Sequence, residues 1–409
     1  MSVRIRAITL GIRLDPVTVV EDVAAAGTFL GEAAAAFRAA GLPVDTLRLT
    51  TQPIAAAVPT PAAIAPLAEQ LVTTARQAGI DYVALGPAQC ARPDAELGWI
   101  AALAEVIPRF PTLFASVQIG QAGAGVSVAA AWASARAIRQ IAAATPAGFG
   151  NLQFAVQACL PLGGPFFPTG YHDGGPPRFA LALEAADLAV EAFAAPDLAA
   201  GREALQHALS AVGKRLVAVA TALASRGPHF GGIDLTLAPF PEVTRSIAAA
   251  LERLGVPFGG AGTLAAVAFL ADTLRQVDLP RCGFSGVMLP LLEDAVLAQR
   301  HAEGRFTLET LLLSAAVCGV GLDTIPLPGD VSEAQIAALL LDLAALAVVL
   351  AKPLTARLLP VPGLKAGEHT HFDFPYFANS TPAQVRGEGL AGLLGRAPWL
   401  ALRARQAAD

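Results

Sequence analysis

Short apolar runs rich in β-branched residues alternate along the chain with longer alanine-rich stretches. Residues 4–12 alternate apolar and polar positions, as a half-buried strand does. Pro16, one residue after Asp15, is typical of the first turn of a helix, and Gly41 ends that helical pattern. Residues 198–226 have the pattern of one long helix. The other predicted strands are residues 44–51, 81–85, 112–119, 151–159, 232–238, 285–289 and 356–361.

Strands that alternate with helices at these spacings predict an α/β protein with a mostly parallel sheet and helices outside it. About ten strands in one unit favour a barrel-like arrangement, or a sheet wrapped on itself. We expect residues 1–362 to form a single large domain, with residues 363–409 as a C-terminal loop and short helix packed on it. Ligands in such folds collect where strands end and loops begin, so the informative loops are expected to converge on one pocket.

Residues 318–330 lie between two apolar helical patterns, residues 308–317 and 334–351. The segment contains several glycines and prolines. Because proline fixes φ and glycine adopts conformations that other residues resist, we predict a shaped loop here. This loop would present Asp323 and Asp330 to a ligand.

The composition limits the kinds of partner that are expected. Of the 409 residues, 54% are hydrophobic and only 15% are charged. Such a chain leaves apolar surface to be covered, which favours a homo-oligomer, in the simplest case a dimer. The net charge of −5 comes without a basic block, so nucleic acid is not expected as a partner.

The most apolar helical pattern, residues 336–351, is shorter than the ~20 residues that cross a bilayer, and it contains Asp342. It is predicted to be a core helix, and no membrane partner is expected. The four cysteines are far apart and follow no zinc spacing, which favours reduced thiols. The first six residues lead into a strand pattern rather than a signal peptide, so a cytoplasmic protein is expected.

Three aspartates are candidates for acid–base chemistry or for binding a hard cation. Asp323 and Asp330 could hold Mg²⁺ or Ca²⁺, which favour carboxylate and carbonyl oxygens. Asp234 lies inside an apolar strand pattern, where a carboxylate is costly unless it is paired or used, so it is a candidate for both roles. The alternative is structural, since aspartates also cap helices and turns. Asp330 with Ser332 and Gln335 has the pattern of a helix start.

Three further side chains are candidates for proton transfer and anion binding. His172 lies in the irregular segment of residues 160–177 and titrates near neutral pH, so it could act as an acid or a base. The alternative is a solvated loop pair with Asp173. Lys352 and Arg357 could bind an anionic group, or they could simply complement the end of the preceding helix.

Two glycine-rich turns precede helical patterns. Gly120 and Gly123 come before Ser127, which can cap a helix, and Gly262 comes directly before Thr263. Such turns can present backbone amides to a phosphate or carboxylate, and we treat these residues as candidate substrate ligands. Neither turn matches a Walker or GxGxxG sequence, and close backbone packing explains the glycines equally well.

Four motifs and the opening strand also resemble one known family. They are GIDLTLAPFP at residues 232–241, GGAGT at 259–263, GFSGVMLP at 283–290, GVGLDTIPLPGD at 319–330 and RAITLGI at 6–12. Together they resemble the family called domain of unknown function 711, also called uncharacterised protein family 0210. The resemblance covers most of the chain and is strongest between residues 230 and 330.

This resemblance implies a barrel-like α/β fold with two parallel half-sheets, similar to pyruvate formate-lyase and other glycyl radical enzymes. It implies no established reaction. The C-terminal glycine motif of the radical enzymes has only a weak counterpart at Arg386 and Gly387. We therefore do not expect radical chemistry in this chain, although Cys318 lies in a loop-like segment that would suit a radical cysteine.

The first functional hypothesis is an enzyme that acts on a small anionic metabolite, as a hydrolase, lyase or isomerase. Asp234 and Asp323 would hold a divalent cation or act as acid and base, His172 would exchange protons, and Lys352 or Arg357 would bind the anion. The second hypothesis is a regulatory protein that binds a metabolite in the same pocket without turnover. The third is a structural homo-oligomer.

Overall fold

The computed structural model describes residues 3–405 as an α/β protein built on one large sheet. Its strands are β1 (Arg4–Gly11), β2 (Val44–Pro53), β3 (Tyr82–Gln89), β4 (Leu113–Gln121), β5 (Gly125–Ser127), β6 (Phe154–Ala158), β7 (Arg178–Glu184), β8 (His229–Ala238), β9 (Gly321–Pro328), β10 (Leu354–Val361) and β11 (Trp399–Leu400). Its helices are α1 (Val19–Ala39), α2 (Ile54–Ala57), α3 (Ile64–Gln77), α4 (Gly98–Val106), α5 (Val128–Ala144), α6 (Ala186–Ala192), α7 (Leu198–Ala224), α8 (Ile247–Glu252), α9 (Thr263–Arg275), α10 (Ala295–Ala302), α11 (Leu308–Ser314), α12 (Glu333–Val349) and α13 (Gly392–Arg396). Residues 1, 2 and 406–409, which the two predicted domains include, lie outside the described residues.

Nine strands follow one another across the sheet in the order β8-β7-β1-β2-β3-β4-β6-β10-β9. The central strands β1, β2, β3, β4 and β6 run parallel to one another. The parallel pair β7 and β8 joins antiparallel to β1, and the parallel pair β9 and β10 joins antiparallel to β6. The predicted α/β architecture with a mostly parallel sheet is confirmed, with eleven strands in residues 3–405 instead of about ten.

The predicted barrel is not closed, because the strand path ends at β8 on one side and at β9 on the other. Residues 281–290 cross between these two strands. They make one isolated bridge to each, from Arg281 to Ile233 and from Pro290 to Asp323. The segment therefore contacts both end strands, β8 and β9, but it does not pair with either along its length, so the sheet is not closed into a barrel.

Side chains of β8 hold the amides of this crossing segment. Phe284 and Ser285 donate their backbone N–H groups to the carboxylate of Asp234, and Gly286 donates to the hydroxyl of Thr236. Amides that are bound in this way are not available for strand pairing. The strand predicted within this segment is wrong for that reason.

The segment predicted to be a shaped loop is also different, because its middle is the fully buried strand β9. Pro326 and Pro328 are tolerated there because β9 is the last strand of the path, and one of its edges needs no amide donors. Gly321 is required at the start of β9. Its φ is +111°, and an added Cβ would lie 2.5 Å from the carbonyl oxygen of Thr355 in β10.

Two predicted helix starts are confirmed. Ser127 caps α5 by accepting a hydrogen bond from the N–H of Ala130 at 3.1 Å. Ser332 and Gln335 form a reciprocal capping box at the start of α12. Asp330 lies just before this cap and is exposed, which agrees with the alternative that it belongs to the start of a helix.

The predicted core helix is α12, which packs against α5 and the strands β4, β6 and β10. Its buried face includes Ile336, Leu340 and Leu343, while Asp342 points outward and is exposed. In the described part of the chain, none of the helices combines the length and hydrophobicity needed to cross a bilayer.

The segment of residues 363–405 lies against the rest of the protein. β11 pairs with β5, Leu390 donates a backbone hydrogen bond to Ala334 in α12, and Ala378 donates one to Leu292. This packing brings Phe374 and Tyr376 to the cavity that is described below.

His301 in α10 is buried under this C-terminal segment, where its Nδ1 lies 3.3 Å from the hydroxyl of Thr381. Burial lowers the pKa of His301 to about 4. A histidine whose pKa is lower in the folded state stabilises the fold only while it is neutral, so stability should fall as the pH drops below 6.5. A shift from about 6.5 to about 4 corresponds to about 3 kcal/mol lost across this range.

Urea unfolding between pH 7 and pH 4 tests this prediction. His301→Gln, which keeps a polar group but cannot be protonated, should remove most of this loss. The exposed His207→Gln is the matched control and should leave the pH dependence of wild type intact. An identical pH dependence in wild type and His301→Gln would contradict the prediction.

Candidate functional site

A cavity of about 190 Å³ lies on one face of the sheet. Its walls come from the first halves of β1 to β4, from the later halves of β7 and β8, and from β10. Residues 149–153, 165–167, 374–376, Met288 and Glu293 contribute the remaining sides. Among the predicted site residues, Asp234 and Arg357 line it, and Asp323 lies directly behind Arg357.

The position of the cavity follows from the direction of the strands. β7 and β8 run opposite to β1, so their carboxyl ends meet the amino-terminal ends of the central strands. The loop that follows β4 and residues 171–175 of the loop that follows β6 were expected to converge on the pocket, but they lie at the other end of the sheet, whereas residues 165–167 of the second loop reach the cavity. For this reason Gly120, Gly123 and His172 are not part of the cavity wall.

Aromatic side chains form most of the apolar wall. Phe114 packs against Tyr82 and Phe167, with ring centroids 5.3 Å and 5.5 Å away. A second group joins Phe374 to Phe149 at 5.2 Å and to Tyr376 at 5.4 Å. All these rings meet at tilted or edge-on angles, which aromatic pairs prefer, so the wall is well packed.

A chain of buried ion pairs runs along the polar side of the cavity. Arg357 binds Asp323 with two hydrogen bonds, from Nε to Oδ1 at 2.5 Å and from Nη2 to Oδ2 at 2.9 Å. The same Arg357 Nη2 donates to Oε1 of Glu293 at 2.9 Å. Arg6 then donates to Oε2 of Glu293 at 2.9 Å and to Glu184 at 3.2 Å. Both oxygens of Glu293 and of Asp323 are therefore occupied.

Burial and charge act in opposite directions on this network. Burial opposes the charge of Arg357, but the carboxylates of Asp323 and Glu293 outweigh it, so the pKa of Arg357 lies above its usual value. Burial raises the pKa of Asp323, and the Arg357 guanidinium counters it. Removing either partner would leave a buried charge without compensation.

Arg48 differs from the other two arginines of the cavity. Its Nε donates to the Thr46 hydroxyl at 3.0 Å, and no carboxylate oxygen of residues 3–405 lies within 4.0 Å of its guanidinium. Burial lowers the pKa of Arg48 to about 10, and the positive charge of Arg6 adds to this effect. The guanidinium is still protonated at neutral pH, so the cavity contains a cation that lacks a carboxylate partner.

Asp234 has a structural role as well as a place in the wall. Its carboxylate accepts the N–H groups of Thr236 at 3.0 Å, Phe284 at 3.1 Å and Ser285 at 2.9 Å. Burial raises the pKa of Asp234, and these hydrogen bonds work against that shift. The side chain thus holds the segment of residues 281–290 against β8.

His172 is buried in its own loop. Its Nδ1 accepts the N–H of Gly174 at 3.0 Å, and its Nε2 lies 3.1 Å from the carbonyl oxygen of Pro176, to which a protonated Nε2 would donate. Burial lowers the pKa of His172, which favours the neutral ring. Because both nitrogens are bound within residues 172–176, the ring is fixed away from the cavity.

Lys352 lines a second, more open pocket of about 390 Å³ together with Arg281, Cys282 and Cys318. Its Nζ donates to the carbonyl oxygens of Ala315 at 2.7 Å and of Cys318. It completes the turn that follows α11 and is separate from Arg357. Burial raises the pKa of Cys318 to about 11, so this thiol is not a thiolate at neutral pH.

The two glycine-rich turns have structural explanations. Gly123, with φ of +82°, lies in the tight turn between β4 and β5, and Gly120 packs against Ala158. At the other turn, Gly262 precedes α9, and the hydroxyl of Thr263 accepts the N–H of Gly259. None of these residues lines the cavity.

In the described part of the chain, the predicted cation ligands Asp234, Asp323 and Asp330 are not grouped together. Within residues 3–405 no three His, Cys, Asp or Glu side chains are grouped so that they could hold a metal ion. Asp323 and Asp234 are occupied by Arg357 and by backbone amides, and Asp330 is exposed outside the cavity wall.

Comparison with known proteins agrees with the motifs. The family model described as Uncharacterised ACR (DUF711) matches residues 1–379. The chain belongs to this family. A UPF0210 protein of Desulforudis audaxviator is 31% identical over 424 aligned positions, which cover 96% of this chain and 89% of that protein.

Other DUF711 relatives align over different lengths. A UPF0210 protein of Pyrobaculum aerophilum is 38% identical over 228 residues, 53% of this chain and 51% of that protein. One from Methanopyrus kandleri is 28% identical and covers 96% of this chain and 90% of that protein. The chain thus spans about half the length of the Pyrobaculum aerophilum relative that it matches.

The DUF711 site contains residues that the sequence analysis did not select, namely Arg6, Arg48 and Tyr82. A signal for the two arginines was present, since each is a charged residue inside a predicted strand. The same signal identified Asp234. No local pattern marks Tyr82, which is a cavity residue only because β3 lies beside β2 and β4.

Proposed function

We propose that this DUF711 chain binds a small anionic metabolite in the cavity and acts on it as an enzyme. The observation that supports this most is Arg48, a half-buried cation in the cavity wall without a carboxylate partner in residues 3–405. Withdrawing a charge from water is costly unless the charge is paired. An anionic ligand would supply the missing partner.

The rest of the wall supports this role for Arg48. Arg6 and Arg357 are held in place by Glu184, Glu293 and Asp323, so their charges are already compensated. Their positions are fixed by these ion pairs, which leaves Arg48 as the guanidinium available to a ligand. A guanidinium binds a carboxylate or phosphate group with two parallel hydrogen bonds, which would also orient the ligand.

The residues suited to chemistry are the carboxylates beside the bound anion. Glu293 lies in the cavity wall between two arginines, and Asp234 lies nearby in β8. A cavity with apolar walls strengthens the electrostatic effect of such groups on a reacting ligand. Hydrolase, lyase and isomerase chemistry all fit this arrangement.

One observation favours a second candidate function, binding without turnover. Both oxygens of Glu293 and both oxygens of Asp234 already accept hydrogen bonds from the protein. Hydrogen bonds to the ionised form make a carboxylate a weaker general base. A regulatory protein that senses the metabolite would need no general base.

Native mass spectrometry of the purified full chain tests anion binding. Wild type should retain a small anion, and Arg48→Met should lose it. The control Arg253→Met removes an exposed arginine outside the cavity and should retain the anion. Arg48→Met should also be as stable as wild type in urea, because the arginine is unpaired without ligand. Equal retention in all three proteins would contradict the proposal.

The finer fold relationship is a proposal as well. We infer a relationship to the pyruvate formate-lyase fold from the motif resemblance, and the two parallel pairs that flank the central strands are compatible with it. A homo-oligomer, a cytoplasmic location and a bound divalent cation stay predictions.

A further inference from the structure

We infer that the anion is aromatic, a single planar ring that carries one carboxylate-like group. This inference rests on the proposed anion binding and names the class of ligand. It is carried by three features of the cavity: its size, the rings around it and the number of unpaired charges in its wall.

The size of the cavity limits the ligand to one ring. An apolar cavity of about 150 Å³ holds benzene. The volume of about 190 Å³ here leaves room for one ring and a small substituent. A nucleotide or a coenzyme would not fit into this space.

The aromatic wall lies next to the anion-binding group. The guanidinium carbon of Arg48 lies 5.2 Å from the ring centroid of Phe167 and 5.8 Å from that of Tyr82. Phe114 packs between these two rings. An anion bound by Arg48 would therefore place the atoms attached to it against aromatic surfaces, where a ring stacks or meets them edge-on.

A second group of aromatic side chains lines the same cavity. They are Phe149, Phe374 and Tyr376, and the guanidinium carbon of Arg6 lies 5.4 Å from the Tyr376 ring centroid. A ligand ring between the two groups would contact aromatic carbon of both. An aliphatic ligand would gain the apolar burial but not the aromatic contacts.

The polar groups of the wall restrict the charge of the ligand. Arg6, Arg357 and Asp234 are already bound to the protein, and Nε2 of Gln153 donates to the carbonyl oxygens of Phe110 and Leu113. Arg48 is the cation of the described cavity wall that lacks a carboxylate. One unpaired cation matches one anionic group, and a second carboxylate on the ligand would have no unpaired cation to bind it.

Calorimetric titration of the full chain with two acids tests the inference. Benzoate and cyclohexanecarboxylate have the same charge and similar size, but only benzoate is aromatic. Benzoate should bind about 5-fold more tightly, as expected for a ring that contacts aromatic side chains. Phe114→Leu should remove this preference, whereas Phe110→Leu, which lies outside the cavity wall, should keep it.

Arg48→Met separates this inference from the proposal on which it rests. Equal binding of both acids to wild type, lost in Arg48→Met, would overturn the aromatic class and leave anion binding standing. If neither acid binds to wild type, the result counts against both the aromatic class and anion binding in this cavity. A 5-fold preference that persists in Phe114→Leu would also overturn the inference, because the contact would not come from this wall.

Discussion

Asp323→Asn should destabilise the protein by about 3–5 kcal/mol, the usual cost of breaking a buried ion pair. Asp323 is fully buried and accepts two hydrogen bonds from Arg357. Asparagine keeps the shape but loses the charge, and one of its two terminal atoms is a donor that faces the donors of Arg357. The guanidinium would then be left with Glu293 as its one carboxylate.

The matched control is Asp45→Asn. Asp45 also accepts more than one hydrogen bond from an arginine, Arg4, but that arginine is 45% exposed. An exposed ion pair is worth about 0–1 kcal/mol, so the control should be close to wild type. The urea midpoint of each variant measures the difference. Similar losses in both variants would show that the buried network is not what stabilises this part of the fold.

A double variant tests whether the pair acts as a unit. In Asp323→Leu with Arg357→Met, no uncompensated charge remains at this position, so part of the lost stability should return. The carboxylate of Glu293 would lose one of its two arginine partners, which limits the recovery. Strictly additive losses would contradict the coupling that the hydrogen bonds indicate.

The parts of this fold that could be predicted from sequence are those with local causes. Hydrophobic periodicity identified the central parallel strands, and hydroxyl groups at residues 127 and 332 identified two helix starts. Residues 318–330 were misinterpreted because proline and glycine favour loops in general. Proline is accepted in β9 because this strand ends the path, and strand order is a property of the whole chain.

The candidate site was predicted only in part for a related reason. Asp234 was found because a charged residue in an apolar strand is costly wherever the strand lies. Arg357 was found as a possible anion-binding residue after a helix, although it lies in β10 and is paired with Asp323. The turn of residues 120–125 and the His172 loop do not reach the cavity, because β7 and β8 run opposite to β1 and place it at the other end of the central strands. Sequence shows where a strand begins and ends, but not the direction in which its neighbour runs.

The second large effect is expected at Gly283, the first residue of the turn that Asp234 holds. Its φ is +61°, in the left-handed region that costs other residues about 1–2 kcal/mol. An alanine Cβ at this position would also lie 2.2 Å from Oδ2 of Asp234, which is far inside contact distance. The carboxylate would have to move, and it would release the N–H groups of Phe284 and Ser285.

Gly283→Ala should therefore cost about 3 kcal/mol or more, since the loss of each hydrogen bond adds about 1 kcal/mol to the strain. Gly304→Ala provides the control, because its φ is +71° and no heavy atom lies within 4 Å of an added Cβ. The control should lose only the strain, about 1–2 kcal/mol. Equal urea midpoints for the two variants would show that the turn adapts without displacing Asp234. A larger loss in Gly283→Ala would instead show that the carboxylate and the segment of residues 281–290 form one unit, which fixes the wall of the cavity between β8 and β9.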